Sequence, residues 1–169
     1  MKRAPRPAVP PVAEPVLGLD AYAEAAQRLV TQARRSVVLM SVGLDPRAYG
    51  SPGFVDAVQT FALSNPRVRM RILLQQSRQA MAGGHRLVEL LRRAQSRIEA
   101  RQLLPEQRHL PPEEYLIVDE RHLLQRAGVL VLEARLLQDA PAAVRPLLET
   151  FDRLWEESPP ARELSELKL

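Results

Sequence analysis

The chain has 169 residues, of which 46% are apolar but only 4% aromatic, and a formal charge of +4 at pH 7. That length accommodates one domain with a proper core, and the composition is too apolar for disorder, so the core is expected to be aliphatic. The absence of cysteine excludes disulfides, thiolate metal sites and cysteine nucleophiles, and the scattered His85, His109 and His122 lack metal-ligand spacing, so neither metal nor cofactor is expected.

Residues 1–18 are read as a disordered arm, with Pro5, Pro7, Pro10, Pro11 and Pro15 interleaved with Lys2, Arg3 and Arg6. They show charge but no continuous apolar stretch, so a cytoplasmic location is the default. Asp20 is expected to cap a helix over AYAEAAQRLVTQARR, whose apolar residues fall at three- and four-residue steps. SVVLMSV (36–42) reads as a buried strand and GLDPRAYG as a loop. Ser51-Pro52, a cap followed by proline, opens a helix through FVDAVQTFAL that Asn65-Pro66 ends. VRMRILL (68–74) is the next strand. Gly83-Gly84 precede a helix, HRLVELLRRAQ, striped by Leu87, Leu90, Leu91 and Ala94.

RIEARQL (97–103) alternates as a strand does. EEYLIVD (113–119) and RHLLQRA (121–127) read as two strands turning around Glu120, and VLVLEARLL (129–137) as another. Pro141 opens a last helix, AAVRPLLETFDRLWEE, with a kink or late start expected at Pro146. Residues 159–169 are left as a tail. The order αβ-αβ-αβ-βββ-α predicts an α/β domain over 19–158, with a mixed, mostly parallel sheet and helices on both faces. No run of about 18 apolar residues exists, so no helical membrane span is expected.

This order resembles one half of the phospholipase D superfamily. VVLMSVGLDP corresponds to the apolar strand that ends in a loop, VRMRILL to the strand after the next helix, and Phe151 and Trp155 in FDRLW to the closing helix. In PPEEYLIVDERHLL the spacing matches H-x-K-x-x-x-x-D, with Asp119 in the last place, Pro112 at the histidine and Glu114 at the lysine. The family's chemistry implies a histidine nucleophile, a lysine holding phosphate charge and an aspartate orienting the histidine. Pro112 has no nucleophilic atom and Glu114 repels phosphate, and the G-S-x-N turn falls on Arg126, Ala127, Gly128 and Val129, which do not match. The resemblance therefore implies a fold without the catalytic set.

The charge is almost all arginine, since Lys2 and Lys168 are the only lysines. Arginine forks suit phosphate, although a GC-rich genome also yields such a composition. The anion-binding candidates are His85 and Arg86, at a helix start after two glycines, with Arg67, Arg69, Arg71 and Arg126; Arg92, Arg93 and Arg97 are further arginines of the same series. Gln125-Arg126-Ala127-Gly128 also resembles the start of an acetyl-CoA loop, but Leu130 and a following strand remove that mechanism. The expected function is a binding or scaffolding module for a phosphate-bearing ligand such as nucleic acid, with a homodimer as the expected assembly. The alternative is a divergent phosphodiesterase using His85 or His109.

Overall fold

The computed structural model describes residues 9–81, 85–108, 113–127 and 131–166. Pro112, His109, Gly83, Gly84, Gly128 and Val129 lie outside them.

Seven strands form one sheet in the order β1-β7-β6-β5-β2-β3-β4. They are β1 (Glu14–Leu17), β2 (Ser36–Ser41), β3 (Arg69–Leu74), β4 (Ile98–Gln102), β5 (Glu114–Val118), β6 (His122–Arg126) and β7 (Glu133–Leu137). Parallel pairing joins β2 to β3 and β3 to β4, and every other neighbouring pair is antiparallel. Strands β1, β6, β2, β3 and β4 therefore run one way, against β5 and β7.

The helices are α1 (Leu19–Gln32), α2 (Pro46–Tyr49), α3 (Pro52–Ser64), α4 (Ser77–Met81), α5 (Arg86–Arg93), α6 (Pro141–Glu157) and α7 (Arg162–Ser165). Alternation along the strands divides the core into two layers. Val37 and Leu39 of β2, with Leu116 and Val118 of β5, face α1, α3 and α5. Val38 and Met40, with Tyr115 and Ile117, face Val144, Phe151, Leu154 and Trp155 of α6. Helices on both faces explain why these strands are apolar without a polar side.

Several boundaries differ from expectation. The arm is not structureless to residue 18, because Glu14–Leu17 pairs with β7 as an edge strand and buries Val16. Asp20 is not the cap of α1; Gly18 holds that place at φ 85°, a conformation that glycine adopts without strain. The loop after β2 contains α2, capped by Asp45, whose carboxylate accepts from the Arg47 N–H. Pro146 does not interrupt α6, which runs unbroken from Pro141 to Glu157 with Pro146 exposed in its second turn. The tail packs on the domain: Ala161 N–H donates to the Ala100 carbonyl, and Leu164 is fully buried.

Candidate functional site

The parallel strands end side by side at Ser41, Leu74 and Gln102, with the start of β5 and the end of β6 next to them. In an open α/β sheet this edge is where ligands bind. It is also where Glu114 lies, fully buried at the first position of β5 and opposite Arg126 on β6.

The Glu114 carboxylate is surrounded by donors. Arg126 grips Oε2 through Nε at 3.0 Å and Nη2 at 2.6 Å, and the Tyr49 hydroxyl donates to the same oxygen at 3.3 Å. Ser41 Oγ donates to Oε1 at 3.0 Å and Val42 N–H at 3.3 Å. Both guanidinium N–H groups converge on one carboxylate oxygen, and as charge-assisted bonds they are stronger than bonds between neutral groups. The Arg126 guanidinium also lies 4.6 Å from the Tyr22 ring centroid, and the Tyr22 hydroxyl lies 2.8 Å from that of Tyr49. Burial by itself lowers the Arg126 pKa, but Glu114 more than offsets it and holds the guanidinium charged. Burial also pushes the Tyr22 and Tyr49 hydroxyls far up, so both remain neutral.

The network locks the following loop. Ser41 Oγ accepts from the Leu44 N–H at 3.0 Å, and the Leu44 carbonyl accepts from His85 Nε2 at 2.8 Å. Leu44 takes a left-handed φ of 54° while completely buried, a backbone cost that these two bonds offset. His85 Nδ1 accepts from the Leu87 N–H as the cap of α5, so both ring nitrogens are occupied. Burial draws the His85 pKa down, which keeps Nδ1 free to accept.

Asp119 has a different task from orienting a histidine. It lies at the opposite end of β5 from Glu114, about 17 Å away at strand rise. Its carboxylate accepts from the Arg34, Arg35 and Ser36 N–H groups, tying α1 to β2. His122 Nδ1 accepts from the Asp139 N–H.

The arginines expected to converge on an anion are dispersed. Arg126 is spent on Glu114. Arg67 and Arg69 lie at the Asp119 end of the sheet, where Arg69 bonds the Pro66 and Val68 carbonyls. Arg71 pairs with Asp152 at 2.8 Å and lies 5.0 Å from the Phe151 ring centroid. Arg86 is exposed on α5 beside the inward-facing His85. Arg92 and Arg97 serve the fold through the Leu164 and Ala62 carbonyls.

Among the described residues three clefts adjoin the filled centre, one of them, of about 410 Å³, lined by Gln125, Arg126, Glu133 and Arg135 on the β6–β7 side; the other two lie towards α6 and β4. One, of about 180 Å³, is mostly apolar and lies beside α6 between Met40, Gln75, Leu103, Tyr115 and Leu154. The other, of about 440 Å³, lies over the ends of β3 and β4 and is lined by Gln76, Ser77, Arg78, Gln102, Arg108 and Glu163. Sequence reasoning missed this second set because it joins a loop, two strand ends and a helix remote in the chain. The Glu114–Arg126 pair did have a signal, since a hairpin centred on Glu120 places those residues opposite each other. Among the described residues no group of three His, Asp or Glu side chains is arranged to hold a metal, and no helix is long and apolar enough to cross a membrane.

The family model described as "Domain of unknown function (DUF7931)" matches residues 18–167. No curated protein matches the sequence. Among solved structures, Nuc from Salmonella typhimurium, a phospholipase D family member, is similar at 15% identity and TM-score 0.59, over 88% of this chain and 98% of that one. Phosphatidylserine synthase of Haemophilus influenzae Rd KW20 is similar at 13% and 0.60, over 91% and 41%. TrmBL2, an archaeal chromatin protein with a novel mode of DNA binding, is similar at 16% and 0.59, over 86% of this chain and 53% of that one. The chain thus spans about half the length of the archaeal protein. The fold is phospholipase D-like.

Proposed function

The chain belongs to the DUF7931 family, on a phospholipase D-like fold, and we propose that it is a non-catalytic binding or scaffolding module for a phosphate-bearing ligand, nucleic acid first among them. The observation that carries this reading is the buried Glu114–Arg126 pair at the sheet edge. Transfer of a phosphoryl group needs a nucleophile and a cation free to receive the developing charge. The position that the resemblance gives to the lysine holds a carboxylate, and that carboxylate takes up the nearest arginine. His85, one of the two histidines considered as substitutes, has both nitrogens engaged in holding Leu44 and α5. The net positive charge and the DNA-binding neighbour support an anionic partner. The reading also takes the domain as cytoplasmic, and as a homodimer by likeness to single-half members of the superfamily.

The test pairs turnover with binding. The protein should not hydrolyse bis(4-nitrophenyl) phosphate or a labelled oligonucleotide, and should bind the oligonucleotide with an affinity that falls as salt rises. Turnover that disappears in His109→Ala overturns the reading in favour of a divergent phosphodiesterase. Light scattering that gives a monomer at every concentration removes the homodimer.

A further inference from the structure

Resting on that reading, we infer that the open cleft over the ends of β3 and β4 is the ligand site, and that it takes a phosphorylated sugar, as in a nucleotide or the phosphorylated end of a nucleic-acid strand. It lies at the carboxyl ends of parallel strands, where an open sheet offers a crevice, and it is set apart from the filled Glu114 centre by the width of β2.

The hydrogen-bonding inventory of the lining identifies the chemistry. Arg78 is exposed, and among the described residues neither it nor Arg108 lies within ion-pair distance of a carboxylate. Arg108 uses Nε on the Leu103 carbonyl at 3.2 Å, which leaves its terminal nitrogens as donors. Gln102 Oε1 accepts from the Ser77 N–H, and Gln76 Oε1 from the Gln79 amide, so both glutamines keep their NH₂ groups for a ligand. The cleft is therefore rich in donors suited to phosphate oxygens. Glu163 is its one carboxylate. Ser77 Oγ lies 3.4 Å from Glu163 Oε2, leaving the other oxygen to accept from a hydroxyl, as acidic residues do on ribose. Phosphate and polyol recognition in a cleft of about 440 Å³ fit a sugar phosphate better than a bare anion. Among the described residues no aromatic side chain lines the cleft, so little discrimination between bases is expected from them.

Calorimetry on the full chain tests this with 5′-AMP, 5′-UMP, ribose 5-phosphate, adenosine, and an octanucleotide with and without a 5′-phosphate. Both nucleotides and ribose 5-phosphate should bind with similar affinity, and adenosine about tenfold or more weaker, the scale of losing one charge-assisted contact. Arg78→Glu and Arg108→Gln should each cost about tenfold, and Glu163→Gln should weaken ribose 5-phosphate but not inorganic phosphate. Arg78 is exposed, so its variant tests the site even where a change at half-buried Arg108 disturbs folding. A preference for the 5′-phosphorylated octanucleotide over AMP assigns the cleft to strand ends, and the reverse assigns it to free nucleotides. Phosphorylated probes that fail to bind, or that bind Arg78→Glu as well as wild type, overturn the inference. Oligonucleotide binding insensitive to these variants refutes the cleft but leaves the binding-module reading intact. Phosphodiester turnover together with Arg78-dependent AMP binding does the opposite.

Discussion

Replacing Arg126 with methionine leaves the Glu114 carboxylate fully buried beside Tyr49, Ser41 and the Val42 N–H, with no cation. Breaking a buried pair from one side costs about 3–5 kcal/mol, because the surviving charge remains desolvated. Against a total of roughly 5–15 kcal/mol, that is a large share. For a chain of this size it amounts to a fall in Tm of about 6–20 °C. Glu114→Gln should cost a similar amount by stranding Arg126. The double variant carries no buried charge and should be about 2 kcal/mol or more less destabilised than the sum of the two single changes predicts. Urea denaturation of the four proteins closes the cycle. Additive single effects, or losses under about 1 kcal/mol, would refute the claim that the pair is a buried, coupled unit.

Asp119→Ala should cost about 1–2 kcal/mol in urea denaturation, because Asp119 caps three N–H groups. Asp119→Asn should cost less, since asparagine also tolerates the φ of 52° at that position. The depressed His85 pKa means that wild type keeps this contribution above the unfolded histidine value and loses it as pH falls through the folded value; His85→Asn, which preserves a cap, should flatten that acid limb in thermal melts. Deleting residues 1–13 should leave Tm nearly unchanged, whereas deleting 1–17 removes β1 and should lower it measurably, and equal effects would contradict the edge-strand assignment. Trp155→Ala should cost about 3–5 kcal/mol by opening a cavity, and it also removes the ring over which Arg71 and Arg101 lie.

The central strands were legible because burial on both faces demands long apolar runs, and SVVLMS and EYLIV show them whatever their partners are. The hairpin of β5 and β6 was legible from its turn at Glu120. What escaped was structure that does not depend on apolar pattern. EPVL buries only Val16 and contains a proline, so nothing local marks it as a strand. Leu44 adopts its strained backbone because Ser41 and His85 hold it, and those contacts exist only in the folded chain. Arg126 was read as a free anion ligand because charge counting ignores register, and register is what spends it on Glu114. Arg67 and Arg69 were grouped with it by sequence proximity to a strand whose other end carries the edge. The cleft of Arg78, Arg108 and Glu163 draws on positions 85 residues apart in the chain, a distance at which no spacing rule operates.

The most direct test of the whole account is a crystal structure of the protein soaked with 5′-AMP. The account predicts a phosphate held by Arg78 and Arg108, with Arg126 still forked onto Glu114. A phosphate seated on Arg126, with the Glu114 carboxylate swung away, would show instead that the old centre still receives the ligand.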